Sequence, residues 1–174
     1  SEDGKGIQRL KESISEIAWD LPLMRVKWVD SWYQVRKRLE EIKDNKITYN
    51  EFCEICKSEG LDDENINILD GYLNDLGVTL HFKDRIALRN IVILKPEWAT
   101  GAFYQILSTK SVLQREGVLL QSELDEIWDK ETYPPEIYPQ LMELMNKFEL
   151  TYELLDRNSY LIPELLPKTS PDFD

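Results

Sequence analysis

A helical pattern followed by two short strand patterns occurs twice along the chain, and this repeat restricts the possible folds more than any other feature. In the first copy, apolar and polar residues alternate from Val78 to Phe82, and NIVIL (90–94) reads as a second strand. In the second copy, a helical stripe over 137–148 precedes the strand patterns ELTYELL (149–155) and SYLIP (159–163). A period of 3.6 marks a helix and a period of 2 a half-buried strand. The sequence therefore predicts an α+β fold, mostly helical and winged-helix-like, in which a helical bundle carries two helix-plus-β-hairpin units. Tandem winged helices and one elaborated α+β module both fit this outline.

Four helices are predicted ahead of the first pair of strands. The first two cover about residues 6–20 and about residues 26–44, by the spacing of their apolar positions. Thr48 and Glu51 form a capping box that opens the third helix. The fourth ends at Gly77, the left-handed residue expected after a helix C-terminus. The expected buried stripes are Ile7, Leu10, Ile14, Ile17 and Leu21 in the first helix, Val29, Trp32, Val35, Leu39 and Ile42 in the second, Leu69, Tyr72, Leu73 and Leu76 in the fourth, and Ile137, Leu141, Leu144, Met145 and Phe148 in the helix of the second copy.

Composition argues against two classes of partner. The 174 residues carry a formal net charge of −12, whereas nucleic-acid binding and anionic membranes both call for a basic surface. The sequence shows neither an apolar run of membrane-spanning length nor a signal-peptide pattern at its start. Two cysteines without such a signal indicate a reducing compartment. We therefore expect a cytoplasmic protein that binds no nucleic acid and no membrane.

Three patterns resemble chemical sites, and each lacks the partners that the chemistry needs. Cys53 and Cys56 form a C-x-x-C pair inside a predicted helix, without the second pair or the histidines of a zinc site. The segment around Glu51 resembles the exit of an EF-hand, but Ile42 would fall on a ligand position. His81, the single histidine, has no recognisable nucleophile pattern to serve, and no P-loop occurs. We expect no catalytic, cofactor or metal residues in this chain.

The second helix carries more aromatic and basic residues than one buried stripe requires. Trp28 and Tyr33 lie roughly 140° apart on a helical wheel, so Trp28, Trp32 and Tyr33 cannot all face the core. Arg36 and Arg38 follow directly, and aromatic residues beside arginine are typical of interaction hot spots. This pattern favours an interdomain interface at Trp28, Trp32, Tyr33, Arg36 and Arg38. Packing against another lobe of the same chain is the alternative.

Four segments in a fixed order resemble a known family. They are LNDLGVTLHF (73–82), VILKPEWATGAFYQIL (92–107), NKFELTYEL (146–154) and SYLIPELLP (159–167). Together they resemble COR-A, the N-terminal half of the COR domain in Roco proteins, a family that includes the leucine-rich-repeat kinases. Lys95 departs from the acidic residue that relatives often place before the proline, which implies a weaker helix cap. The motif positions are filled by Leu76, Gly77, Leu80, His81, Phe82, Pro96, Trp98, Ile106, Leu107 and Pro163.

The resemblance implies a structural role for these motif residues and a regulatory role for the chain. Residues 1–60 would be the N-terminal helical part of COR-A, 61–166 its winged-helix-like core, and 167–174 a linker to the second half of COR. GTP and Mg²⁺ would bind the upstream Roc GTPase domain, whose nucleotide state the module would couple to dimer arrangement. The parent would be a homodimer and this chain alone a monomer, because the family's dimer contact lies in the second half of COR. A winged-helix nucleic-acid-binding domain and a fragment of an unrecognised enzyme are the alternatives.

Overall fold

Two units of helices and short strands follow the N-terminal helix along the chain. The computed structural model describes residues 5–19 and 29–167. The helices and strands are α1 (Lys5–Trp19), α2 (Asp30–Glu41), β1 (Lys46–Thr48), α3 (Tyr49–Ser58), α4 (Asp63–Asp75), β2 (Ile91–Ile93), α5 (Pro96–Leu107), α6 (Lys110–Gln114), β3 (Val118–Leu120), α7 (Leu124–Ile127), α8 (Tyr138–Lys147), β4 (Tyr152–Glu153) and β5 (Ser159–Leu161).

The first unit runs from α2 to β2, and β2 is the central strand of its sheet. β1 pairs with β2 in antiparallel register, Lys46 opposite Ile93, and Leu80 forms a single antiparallel bridge to the same Ile93. The strand predicted from Val78 to Phe82 is therefore wrong beyond this one bridge. The amides on either side of Leu80 turn to other acceptors: Thr79 donates to the Leu73 carbonyl, and His81 donates to the side chain of Asn74.

The second unit runs from α5 to β5, and its sheet has the order β3-β5-β4. The predicted hairpin is confirmed: β4 and β5 are antiparallel, with Tyr152 opposite Leu161. β3, which pairs Val118 with Leu161, was not predicted, and neither was β1 in the first unit. Each is only three residues long, too short to show an alternating pattern.

With β1 and β3 included, the two units have a similar order of elements. Each continues from its first short strand, β1 or β3, through two helices to a last strand that lies at the centre of the sheet. The second unit has one more helix, α6, before β3, and in the first unit the Leu80 bridge takes the place of the other hairpin strand. This is the arrangement of a winged helix, so the tandem alternative fits the structure better than one elaborated module. The wing of the first unit is the turn segment 83–90, and that of the second unit is the segment 154–158.

The sequence patterns at Thr48 and at Gly77 predicted the start of α3 and the end of α4 correctly. Thr48 accepts from the Glu51 amide while the Glu51 carboxylate accepts from the Thr48 amide, which completes the predicted capping box. Gly77 has φ +65°, as expected for the residue after a helix. Pro96 opens α5, and Lys95 before it supplies no side-chain cap.

Each unit has its own apolar core, and the first unit's sheet reaches into the second core. The first core gathers side chains from α2, α3, α4 and β2; the second is built on α5, α7, α8 and the β3–β5 sheet. Leu88 and Ile93 belong to the first unit by sequence, yet they are buried in the second core. The two units therefore pack together around β2 and the segment before it.

Several predicted core positions are exposed. The four α1 side chains of the predicted stripe, Ile7, Leu10, Ile14 and Ile17, are between 56% and 68% exposed. Leu21, the fifth, lies outside the described residues. Val29, Leu76 and Phe148 were also expected in the core, and each is substantially exposed because it lies at or beyond the end of its helix. Periodicity identifies an apolar face, but it does not say what covers that face.

No helix in the described parts of the chain is both long and apolar enough to cross a membrane.

Candidate functional site: a buried motif cluster and the surfaces around it

His81 lies in a closed polar cluster between α4 and the first wing. Its side chain is fully buried; Nδ1 lies 2.8 Å from a carboxylate oxygen of Asp70 and Nε2 lies 2.9 Å from the Arg89 carbonyl oxygen. Each ring nitrogen thus lies within hydrogen-bond distance of an acceptor oxygen. The Tyr49 ring stacks on the imidazole at 4.6 Å. With both nitrogens engaged and the ring covered, His81 fixes the wing and leaves no room for a substrate.

Asp70 is the centre of charge in this cluster. Lys83 reaches it from the start of the wing, with Nζ 2.9 Å from the carboxylate. Burial raises the pKa of Asp70, but the hydrogen bonds from His81 and Lys83 lower it by more, so the net pKa lies below the usual 3.8. A buried carboxylate needs such partners to remain charged. Asp70 therefore ties α4 to the residues on both sides of Phe82.

Trp98, in the first turn of α5, contacts the segment between α7 and α8 in the second unit. Its ring is buried and stacks on Tyr133 at 5.4 Å, and its Nε1 donates to the Thr132 carbonyl over 3.1 Å. The Tyr133 hydroxyl donates to the Trp98 carbonyl over 2.8 Å. Pro163 opens a short 3-10 turn after β5. The structure thus places these family-motif residues in packing and backbone roles.

The cysteine pair lacks the neighbours of a metal site, and one of its two thiols is buried. Cys56 is fully buried on α3, and burial, followed by the influence of Cys53, raises the pKa of its thiol to about 12. A thiol with so high a pKa is a poor nucleophile at neutral pH. Within the described residues, no group of three or more histidine, cysteine, aspartate or glutamate side chains is arranged to hold a metal ion.

Of the five residues predicted as an interdomain interface, the four that the structure describes do not form one surface. Trp32 is buried in the first core, with its ring 5.4 Å from that of Tyr72, so its assignment to a surface was wrong. Arg38 joins α2 to the end of α3, donating to Ser58 and to Glu59. Tyr33 is 57% exposed, and Arg36 forms an ion pair with Glu40 along the helix. Trp28 lies outside the described residues.

A contact between the two units was not predicted by sequence reasoning. In the first wing, the Arg85 guanidinium lies 3.2 Å from the Glu143 carboxylate of α8, and Lys147 of α8 lies 2.9 Å from Asp84. Phe82, just before the wing, meets Phe148 edge to face at 5.6 Å. We call the four charged residues Asp84, Arg85, Glu143 and Lys147 the clasp. Its partners are about sixty positions apart in sequence, so no local pattern reveals them.

The clasp also bears on the nucleic-acid alternative. α8 is the helix that a DNA-binding winged helix would place in the major groove, yet Lys147 is its single basic residue. The Lys147 ammonium is already paired with Asp84, while Glu143 adds a negative charge to the same helix. The surface has none of the clustered arginines and lysines that phosphate contacts require.

Comparisons with known proteins agree with the fold and the motifs. Residues 30–166 match the family described as "C-terminal of Roc, COR-A domain". Two probable serine/threonine-protein kinases of Dictyostelium discoideum are similar: qkgA is 33% identical over 74% of this chain, and roco11 is 34% identical over 75% of it. The chain spans only 8% and 9% of their respective lengths.

A solved structure is similar over nearly all of the chain. It is the RocCORdC portion of Roco2 from Methanosarcina barkeri bound to GDP, with 38% sequence identity and a TM-score of 0.74. The match covers 93% of this chain and 51% of that one. With the family match extending over most of the sequence and the tandem winged-helix fold in agreement, the chain belongs to the COR-A family: it is the COR-A domain of a Roco protein.

Proposed function

We propose that this COR-A domain is a non-catalytic regulatory module, which packs beside the Roc GTPase domain and couples its nucleotide state to dimer arrangement. In this proposal GTP and Mg²⁺ bind the upstream Roc domain; the 174-residue sequence holds no P-loop. The second half of COR follows downstream and carries the main contact of the homodimer. The whole protein acts in the cytoplasm. Support comes from the family description, which places COR-A next to Roc.

The apolar face of α1 is the observation that carries this proposal. Ile7, Leu10, Ile14 and Ile17 are all more than half exposed and share one side of the helix. Burying an aliphatic side chain stabilises a structure by about 1.5–3 kcal/mol, so a bare stripe of four favours a partner surface. α1 precedes residue 30, where the family match begins, and so lies on the Roc side of the domain. We assign the stripe to contact with Roc.

Coupling further requires that a displacement at one side of the domain reach the other. The clasp meets this need, because Arg85 and Asp84 of the first wing hold α8 of the second unit. Leu88 and Ile93 add apolar burial across the same boundary. Packed interfaces of this kind move as bodies rather than deform continuously. A shift of the first unit against Roc is thereby passed to the second unit and on to the second half of COR.

The experiment uses the longer protein with its Roc domain and compares two isoleucines. Ile14→Gln removes an aliphatic side chain from the α1 stripe, and Ile86→Gln removes one from the tip of the first wing, where Ile86 is 83% exposed. We expect Ile14→Gln to change the GTP hydrolysis rate and the nucleotide dependence of dimerisation, and Ile86→Gln to leave both unchanged. Equal behaviour of the two variants would contradict the assignment of the stripe to Roc.

A further inference from the structure

A groove in the second unit lies between α8 and the β4–β5 hairpin, and Glu143 is the one residue of its lining that also belongs to the clasp. It encloses about 350 Å³, within the usual range for ligand-binding clefts. Leu124 and Met142 are buried side chains along it, and Tyr138 and Tyr160 are half-buried. The groove therefore combines an apolar lining with two aromatic rings.

Carboxylates give this groove its charge. Asp125, Glu143 and Glu153 line it, one each from α7, α8 and β4. Asp125 lies 3.5 Å from Lys130, and Glu143 lies 3.2 Å from Arg85. The Asp125–Lys130 pair is solvent-exposed, and such a pair exchanges partners at little cost.

The wider second unit reinforces this negative potential. Between positions 96 and 167 the sequence holds thirteen acidic and five basic residues. The pKa values of both tyrosines reflect this negative potential. Burial raises each pKa most, and a neighbouring carboxylate raises it further: Asp125 for Tyr138 and Glu153 for Tyr160. A field of this sign attracts cations and disfavours anions.

We propose that this groove binds an extended, arginine-bearing segment of a partner protein. A guanidinium is planar and stacks on tyrosine faces. It also donates two parallel hydrogen bonds to a single carboxylate. Tyr138 and Tyr160 supply the rings, and Glu153 supplies a carboxylate with no ion pair to a cation among the described residues. Lysine fits less well because its ammonium neither stacks nor bonds in a bidentate manner.

The test titrates the isotopically labelled 174-residue chain with the peptide Gly-Arg-Gly-Arg-Gly and follows backbone amide signals by NMR. Matched peptides carry citrulline or lysine in place of arginine. We expect saturable shifts clustered at 121–125, 138–146, 153 and 160, weaker binding of the lysine peptide and none of the citrulline peptide. Shifts that spread over acidic residues of both units without saturating, or equal binding of the citrulline peptide, would overturn the proposal.

Two charge-matched variants separate the groove from general electrostatics. Glu153→Gln lies in the groove, whereas Glu164→Gln removes the same charge outside its lining. We expect Glu153→Gln to weaken the arginine peptide about threefold, the scale of one lost exposed ion pair, and Glu164→Gln to have no comparable effect. Asp125→Asn repeats the test at a second position of the groove. Equal weakening by the groove variants and by Glu164→Gln would contradict a specific site.

Discussion

Glu149 makes the same left-handed turn after α8 that Gly77 makes after α4. The φ angles are +59° and +65°, and the next residue in each unit, Leu150 or Val78, donates its amide to a carbonyl in the last turn of the helix. The two winged-helix units thus end α4 and α8 in one way. The two residues differ in cost. A left-handed conformation costs a residue with a side chain, such as Glu149, roughly 1–2 kcal/mol, whereas Gly77 has no side chain and avoids this cost.

Glycine at position 149 should therefore stabilise the chain. We expect Glu149→Gly to raise the free energy of unfolding by about 0.5–1 kcal/mol, the strain relieved less the entropy that glycine gains when unfolded. Gly77→Ala should lower it by about 1 kcal/mol through strain alone, since no atom lies within 4 Å of the added methyl group. Urea melts measure both. A lower stability of Glu149→Gly would show that the side chain contributes more than the turn costs.

Trp98 should be among the most costly side chains to truncate. Trp98→Ala removes the stack on Tyr133 and the hydrogen bond to Thr132, and we expect a loss of about 3–5 kcal/mol. His81→Gln should cost less, about 1–3 kcal/mol, because an amide can replace one of the two hydrogen bonds. Chemical denaturation orders the two variants. If His81→Gln proved the more destabilising, the polar cluster would outweigh the aromatic core.

Acid should weaken the fold through Asp70. Its pKa in the folded protein lies below the usual 3.8, so its stabilising effect is complete above that value and is lost as pH falls through the folded pKa. We expect the free energy of unfolding to fall steeply below about pH 4, and Asp70→Asn to reduce this slope. Urea melts between pH 2 and pH 7 give both curves. Identical slopes would mean that other carboxylates account for the acid sensitivity.

How far the sequence predicted the fold depended on the range of each interaction. The capping box of Thr48 and Glu51 and the turn at Gly77 were correct because their partners are adjacent in the chain. β1 and β3 were missed because three residues show no period. The contact of Arg85 with Glu143 links positions 58 apart, which no local pattern encodes.

The candidate interface on α2 stays a prediction, and one of its residues, Trp32, was assigned wrongly for a related reason. A helical wheel shows that three aromatic residues cannot share one stripe, but it cannot say which of them is buried. Trp32 proved to be the core residue, while Tyr33 stays exposed beside Arg36. The α1 stripe shows the same limit, since its apolar side chains are exposed although their spacing predicted burial.

Tyr33 and Arg36 offer a surface next to α1 in sequence, and we predict that they contact the GTPase. Tyr33→Ala and Arg36→Ala should each change the stability of this chain by at most about 0.5 kcal/mol, as is usual for exposed positions. In the longer protein they should alter the rate of GTP hydrolysis. The measurement compares urea melts of this chain with the rate of GTP hydrolysis per folded molecule of the longer protein. Strong destabilisation with unchanged turnover would make these residues part of the chain's own structure.

The central claim, that the two units act as one body to couple GTPase and dimer, is tested most directly by reversing the clasp in the longer protein. Arg85→Glu and Glu143→Arg each place like charges opposite one another, and the double variant restores the pair. The readout is dimerisation by sedimentation with GDP and with a non-hydrolysable GTP analogue. Coupling through the clasp predicts that each single reversal abolishes the difference between the two nucleotides and that the double variant recovers it. A nucleotide difference that persists unchanged in both single variants would contradict the account.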